Sequence, residues 1–248
     1  MSLLDWVYPP KCLSCRIIFP PIHNAPYPWL CNNCRPLLSP ITSPFCHVCG
    51  HPVNLSNEAK HICPSCKPGQ FKFATHRAAF VYNDVIKELI HNIKFRGEKQ
   101  AATGLGNLLA EEVQKWDISL NEEFLNADCI VPVPLHPSKK RMRGFNQSAV
   151  LAVALSKFLN IPIYEDMLKR IIKTVPQSGL SPYARRQNLI GAFTYNRKRY
   201  KVPKKIILID DIFTSGATMD ACTEVFIKNG VGCVVGISLA IAIKEDSL

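Results

Sequence analysis

Apolar residues repeat with two different periods along this chain. Ile206 to Ile209 is a continuous run, IILI, with three β-branched residues. Such a run suits a strand buried on both faces, as in a parallel sheet. Met219, Cys222, Val225 and Phe226 then recur at helical spacing and predict a helix from Gly216 to Asn229, with Gly230 as its stop. Further upstream, Asp84 is expected to cap a helix through Val85, Ile86, Leu89, Ile90 and Ile93, which Lys94 to Gly97 ends. Leu105, Leu108, Leu109 and Val113 mark a second helix, about Ala101 to Lys115, and Ser148 to Leu159 a third. Arg77–Tyr82, Cys129–Val133, Leu168–Ile172 and Cys233–Ile243 read as further strands, and Pro182 as the start of a short helix. Strands and helices in this order make an α/β domain over 71–248. The first seventy residues are Pro-rich and lack periodic apolar runs. They read as a separate small domain, 1–70, with the boundary between Gln70 and Thr75.

Immediately after Ile209 the residues turn from packing to chemistry. Asp210 and Asp211 come at once. A loop of small and hydroxyl residues comes next, Thr214-Ser215-Gly216-Ala217-Thr218, at the mouth of the predicted helix. N–H groups at a helix N-terminus bind anions, and the helix dipole favours negative charge there. A bare phosphate would be repelled by the two carboxylates. A ligand with hydroxyls to donate would be gripped by them, and a sugar phosphate has both features.

Eight of the eleven cysteines lie before Gly69, as four C-x-x-C pairs: Cys12/Cys15, Cys31/Cys34, Cys46/Cys49 and Cys63/Cys66. A C-x-x-C turn lets two thiolates converge on one tetrahedral zinc, so four pairs supply two structural four-thiolate sites. The gaps of 15 and 13 residues each accommodate a short hairpin, which favours two consecutive zinc ribbons. A cross-braced grouping, first pair with third and second with fourth, uses the same residues. Disulfides suit exported chains, and the N-terminus has no apolar signal core: Asp5 and two prolines interrupt it. The expected compartment is the cytoplasm, with no membrane insertion. An iron–sulfur cluster fits the paired spacing less well than zinc. With eight thiolates present, His47, His51 and His61 are expected at the surface. Cys129, Cys222 and Cys233 sit in apolar stretches and are expected to be inert.

Net charge is +11, concentrated between Asp128 and Lys205, where 16 Lys and Arg face three acids. An excess of that kind suits phosphorylated metabolites or nucleic acid. The strand ending at Val133 leads into a basic loop, with Lys139, Lys140, Arg141 and Arg143 before Gly144. Loops at the carboxyl ends of parallel strands are where open α/β sheets bind ligands. His136, between two prolines, is placed equally well to hydrogen-bond locally or to touch a ligand. Five more cations fall between Lys198 and Lys205. Lys140, Arg143, Lys198 and Arg199 are the candidate contacts to a nucleic-acid backbone.

KKIILIDDIFTSGATMDAC closely resembles the binding motif of type I phosphoribosyltransferases. VPVPLHPSKKRMRGFNQ, together with IKF, the T-x-x-Q stretch and the order of C-x-x-C pairs, resembles the ComF family, associated with DNA uptake in competent bacteria. The similarity spans nearly the whole chain. It implies a type I phosphoribosyltransferase-like parallel-sheet domain preceded by a small zinc-ribbon domain. By that resemblance, Asp210 and Asp211 are the catalytic pair that holds the ribose of phosphoribosyl pyrophosphate, bound with Mg²⁺. Thr214, Ser215, Gly216, Ala217 and Thr218 hold its 5′-phosphate. Arg141, Arg143 and Lys139 take the pyrophosphate. Thr174, Gln177, Arg185, Arg186 and Asn188 belong to a hood over the ligand. The resemblance also implies single-stranded DNA and DNA-transport machinery as partners. No segment identifies an acceptor for phosphoribosyl transfer.

Overall fold

The computed structural model describes residues 11–20, 27–53, 62–64, 66, 69–96, 99–116, 124, 126–175, 179–197 and 199–243. At 93–96, 99–102 and 182 only the backbone is described. Among these residues four parallel strands make the central sheet: β1 (Thr75–Val81), β2 (Cys129–Pro132), β5 (Lys205–Phe213) and β6 (Cys233–Ile241), in the order β1-β6-β5-β2. A separate antiparallel pair joins β3 (Leu168–Arg170) to β4 (Phe193–Tyr195). The helices are α1 (Asp84–Arg96), α2 (Lys99–Gln114), α3 (Pro137–Arg143), α4 (Gln147–Leu159), α5 (Pro182–Asn188) and α6 (Ala217–Lys228).

β5 shows why the IILI run is continuous. Ile207 and Ile209 pack with Leu105, Leu109, Leu151 and Leu155 of α2 and α4. Ile206 and Leu208 pack on the other face with Met219, Cys222 and Phe226 of α6. Strand side chains alternate between faces, so a strand covered on both sides has no position left for a polar residue.

The N-terminal segment covers the outer edge of β1. Ile41 N–H donates to the Ala79 carbonyl at 3.0 Å, and Val81 N–H to the Ser39 carbonyl at 2.8 Å. An edge strand otherwise presents unpaired backbone groups. The first cysteine group joins the α1–α2 face of the core, the second the α6 face, so the two groups straddle the sheet.

Three expectations are corrected. β5 runs through the acidic pair to Phe213 instead of ending at Ile209, because β6 continues to pair with it: Asp210 lies opposite Ser238 and Ile212 opposite Ala240. The basic loop is in fact helix α3. Pro137 opens it, and His136 caps it, its Nδ1 3.3 Å from Ser138 N–H and 2.8 Å from Ser138 Oγ. Gly144 stops it at φ 81°. Asn83, not Asp84, caps α1, its side-chain oxygen accepting from Ile86 N–H at 3.1 Å. β4 was not anticipated from the sequence.

Candidate functional site

Parallel pairing places the acidic pair at the carboxyl edge of the sheet. Asp210 Oδ1 accepts from the Ser148 hydroxyl at 3.2 Å and from Asp211 N–H at 2.9 Å. Asp211 Oδ1 accepts from Ile212 N–H at 2.9 Å. Each carboxylate is thus oriented by its own backbone. The chain then turns through Thr214 and Ser215 into α6, whose cap is Gly216 at φ 74°. Glycine is required twice over here: a Cβ would lie 2.7 Å from Phe71 Cε1 and 2.9 Å from Phe213 Cζ. The Ser215 hydroxyl is buried without a hydrogen-bond partner among the described residues. Thr214 Oγ1 accepts from the Arg185 guanidinium of α5 at 2.8 Å, which brings one predicted hood residue to the loop. Behind the loop, Asp220 in the first turn of α6 accepts from Lys72 N–H at 2.6 Å. Burial raises its carboxyl above the ordinary value, and that hydrogen bond opposes the rise.

The basic segment reaches the acidic pair through the first turn of α4. Arg143 donates to Gln147 Oε1 at 3.3 Å, and the next residue, Ser148, holds Asp210. Arg143 Nε and Gln147 Nε2 are both buried with no partner among the described residues. Lys139 is partly buried, and Lys140 and Arg141 are exposed. Gln147 closes the RGFNQ stretch and Ser148 carries no sequence signal of its own; the role of both depends on where α4 begins. Arg170 of β3 was likewise missed. It donates to Thr174 Oγ1 and lies 5.4 Å over the Phe193 ring. Burial lowers its pKa, and the charge of Asp210 acts in the opposite direction.

Of the remaining candidates, Arg186 lies near the loop and Arg199 is tied to Asp166. Arg199 is held by Asp166 at 2.6 Å, beside a stacked Tyr164–Tyr200 pair with centroids 4.4 Å apart. Arg186 lies 5.8 Å over the Phe71 ring, and Asn188 donates to the Val175 carbonyl at 3.0 Å. Lys198, Gln177 and His61 lie outside the described residues.

The cysteines group sequentially, Cys12, Cys15, Cys31 and Cys34 in one set and Cys46, Cys49, Cys63 and Cys66 in the other. Within each set all sulfurs lie within 4.8 Å of one another, which excludes cross-bracing. Cys31 N–H points at Cys12 Sγ (3.4 Å) and Cys63 N–H at Cys46 Sγ (3.3 Å). Two closed four-thiolate sets of this kind fit structural zinc. His51 is half-buried beside the second cysteine set and is not one of its grouped ligands. Its ring joins Cys49 Sγ and the Ala242 carbonyl, each at 3.2 Å. Burial pushes the Cys129 thiol up to about 12 and the Cys222 thiol well above its ordinary value.

Residues 3–67 match the family model for a double zinc ribbon domain. Competence protein F of Haemophilus influenzae is 29% identical over 222 residues, 89% of this chain and 92% of that protein. Competence protein ComFC of Bacillus subtilis is 24% identical over 81% of this chain and 79% of its own length. The DNA utilization protein YhgH of Escherichia coli K12 is 28% identical over 84% of this chain and 94% of its own length. Among solved structures, the chain is similar to orotate phosphoribosyltransferase from Aeropyrum pernix, with 13% identity, a TM-score of 0.35, and coverage of 66% of this chain and 80% of that one. It is also similar to the Bacillus subtilis glutamine phosphoribosylpyrophosphate amidotransferase, of whose length it spans 25%, or 55% of its own, with 19% identity and a TM-score of 0.34. In class, the molecule is a double zinc ribbon followed by a parallel-sheet α/β domain. Over most of its length the chain is similar to these competence and DNA utilization proteins. No helix among the described residues is long and apolar enough to cross a membrane.

Proposed function

We propose that the carboxyl edge of β5 binds phosphoribosyl pyrophosphate with Mg²⁺. The observation that carries this reading is the juxtaposition of Asp210 and Asp211 with the N-terminus of α6, where the Ser215 hydroxyl is buried and unpartnered among the described residues. Asp210 and Asp211 grip the ribose hydroxyls. Thr214 to Thr218 hold the 5′-phosphate through backbone N–H groups and hydroxyls. Arg143, with Arg141 and Lys139 on the same short helix, faces the pyrophosphate; Arg suits bidentate phosphate contact. The carboxylates and the ligand's own phosphates are hard oxygen donors, the kind Mg²⁺ prefers, and the ion supplies charge neutralisation across the pyrophosphate. If transfer occurs, these residues orient the donor and stabilise departing negative charge by position and electrostatics.

The test is a thermal shift of the zinc-loaded chain with phosphoribosyl pyrophosphate and Mg²⁺. Saturation at about 100 times Kd stabilises by roughly 2.7 kcal/mol. The shift is expected in the parent protein and lost in the double variant Asp210→Asn, Asp211→Asn. No shift at millimolar ligand sinks the reading.

A second reading is a DNA-handling role, favoured by the names of the relatives, two of which refer to competence and one to DNA utilization, and by the cation excess between Asp128 and Lys205. In this reading single-stranded DNA and its transport machinery are the partners. Lys140, Arg143, Lys198 and Arg199 are its candidate contacts. Binding of a labelled single strand that weakens linearly in log salt supports it, and salt-independent binding or none refutes it.

A further inference from the structure

We propose that His76 is a positioning residue that ties the second four-cysteine site to the sugar-phosphate pocket, so that occupancy of one site stabilises the other. This inference rests on the pocket reading above for its ligand, though not for its geometry.

His76 lies on β1 and is fully buried. Its Nδ1 is 2.8 Å from the Cys49 carbonyl, and its Nε2 is 2.9 Å from Ser238 Oγ. A carbonyl only accepts, so Nδ1 carries the proton donated to Cys49, and Nε2 faces the Ser238 hydroxyl, which also lies 3.0 Å from the Ala240 carbonyl. This fixes the orientation of the ring between two separate parts of the molecule.

On one side is the second cysteine set. The Cys46–Cys49 turn is docked directly on β1. His76 N–H donates to the Val48 carbonyl at 2.9 Å, and Thr75 Oγ1 donates to the His47 carbonyl at 2.6 Å. Gly50, at φ 74°, lies so close that a Cβ would be 2.7 Å from the His76 carbonyl oxygen. Loss of metal frees this turn, and with it the acceptor of the buried Nδ1–H.

On the other side is the pocket. Ser238 is paired in register with Asp210. The His76 ring also stacks on Phe213, with centroids 3.9 Å apart and planes at 20°. Phe213 is the last residue of β5 and immediately precedes the phosphate loop, and its ring is one of the two walls against Gly216. Gly236 permits the approach, since a Cβ there would lie 3.0 Å from His76 Cδ2. His51 makes a parallel link, from Cys49 Sγ to the Ala242 carbonyl, while Ala242 N–H donates to the Phe213 carbonyl at 2.8 Å.

The first cysteine set packs on the opposite face of the sheet, against α1 and α2, and has no comparable path among the described residues. It serves as the internal control. Coupling free energies are reciprocal, so a ligand that depends on the second metal site must also retain that metal.

The experiment follows zinc release to a chromogenic chelator from the zinc-loaded full chain, with and without phosphoribosyl pyrophosphate and Mg²⁺. Cys31→Ser and Cys63→Ser assign the two phases. The ligand is expected to slow release from the second site about tenfold, within the range of measured couplings, and to leave the first unchanged. His76→Phe keeps a ring on Phe213 but cannot bond Cys49. It is expected to hold two zinc ions and to lose the differential slowing; His76→Asn, which keeps an N–H near the Nδ1 position, retains part of it. Equal slowing of both phases, no slowing despite demonstrated binding, or full slowing in His76→Phe overturns the coupling. If the ligand does not bind at all, the pocket reading fails. The coupling is then decided without ligand, by hydrogen exchange of the peptide spanning Phe213 to Asp220. Exchange there should quicken about tenfold when zinc is stripped from the second site and not when it is stripped from the first. Unchanged exchange overturns it, and a variant that fails to fold leaves this comparison on the parent chain intact.

Discussion

Gly216→Ala is expected to be among the most damaging single-methyl additions to the α/β domain. The backbone at Gly216 has φ 74°, and the added Cβ would stand 2.7 Å from Phe71 Cε1 and 2.9 Å from Phe213 Cζ. The left-handed conformation alone costs a non-glycine residue about 1–2 kcal/mol. The methyl must also displace two rings. Phe71 is stacked on Phe73 at 4.7 Å and Phe213 on His76 at 3.9 Å, so neither can move without breaking a packed pair. Overpacking of this kind adds about 1–3 kcal/mol. The sum, about 2–5 kcal/mol, corresponds to a fall in Tm of roughly 5–15 °C for a chain of this size. Gly144 is the matched control. It has φ 81° but nothing within 4 Å of its Cβ position. Gly144→Ala is therefore expected to show only the conformational part, about 1–2 kcal/mol. Differential scanning calorimetry on both zinc-loaded variants separates the two contributions. Equal losses, or a Gly216→Ala Tm within about 1 °C of the parent, would refute the packing argument.

The same contacts carry other expected outcomes. Metal analysis of the purified chain is expected to find two zinc ions, with one in Cys63→Ser. Because a structural zinc is worth on the order of 10–16 kcal/mol, chelation should unfold the N-terminal domain, and a chelated chain with unchanged circular dichroism and proteolysis would contradict that. Tyr27 donates to Glu112, Lys115 lies 2.6 Å from its hydroxyl, and burial followed by the Glu112 contact pushes the phenol up to about 12. The folded chain keeps this proton after the unfolded chain has lost it, so stability should fall as pH rises from about 10 to 12. Denaturant titrations across that range should show a shallower fall in Tyr27→Phe, and identical slopes would count against the assignment. Arg185→Ala removes the guanidinium held by Thr214; it is expected to weaken phosphoribosyl pyrophosphate about tenfold, as befits loss of a charge-assisted contact, with Tm nearly unchanged. If single-stranded DNA is a partner, Arg199→Gln should lower the salt slope of binding by about one, and an unchanged slope would remove Arg199 from the contacts.

The parts of this molecule legible in the sequence are those whose signal is local. The IILI run, the heptad-like apolar faces of α2 and α4 and the C-x-x-C pairs each identify an element within a dozen residues. The limits of β5 are not local. Charge at Asp210 ends the apolar pattern, but pairing with β6 carries the strand to Phe213. Helix α3 has no apolar face to reveal it; PSKKRMR is made helical by the His136 cap, Pro137 and the Gly144 stop. Spacing alone is compatible with either grouping of the cysteine pairs, and three-dimensional packing on opposite faces of the sheet decides it. Ser148, Arg170 and His76 belong to no sequence motif. They matter because strand order brings β1 beside β6 and α4 beside β5, which no spacing along the chain encodes.

Everything proposed for the ligand depends on the acidic pair and the α6 N-terminus acting as one site. Isothermal titration of phosphoribosyl pyrophosphate with Mg²⁺ into the zinc-loaded chain measures that dependence without an intermediate step. One ligand is expected to bind per chain, with binding abolished in Asp210→Asn, Asp211→Asn while both zinc ions are retained. Heat of binding that is unchanged in that double variant, or absent from the parent chain, would contradict a shared site.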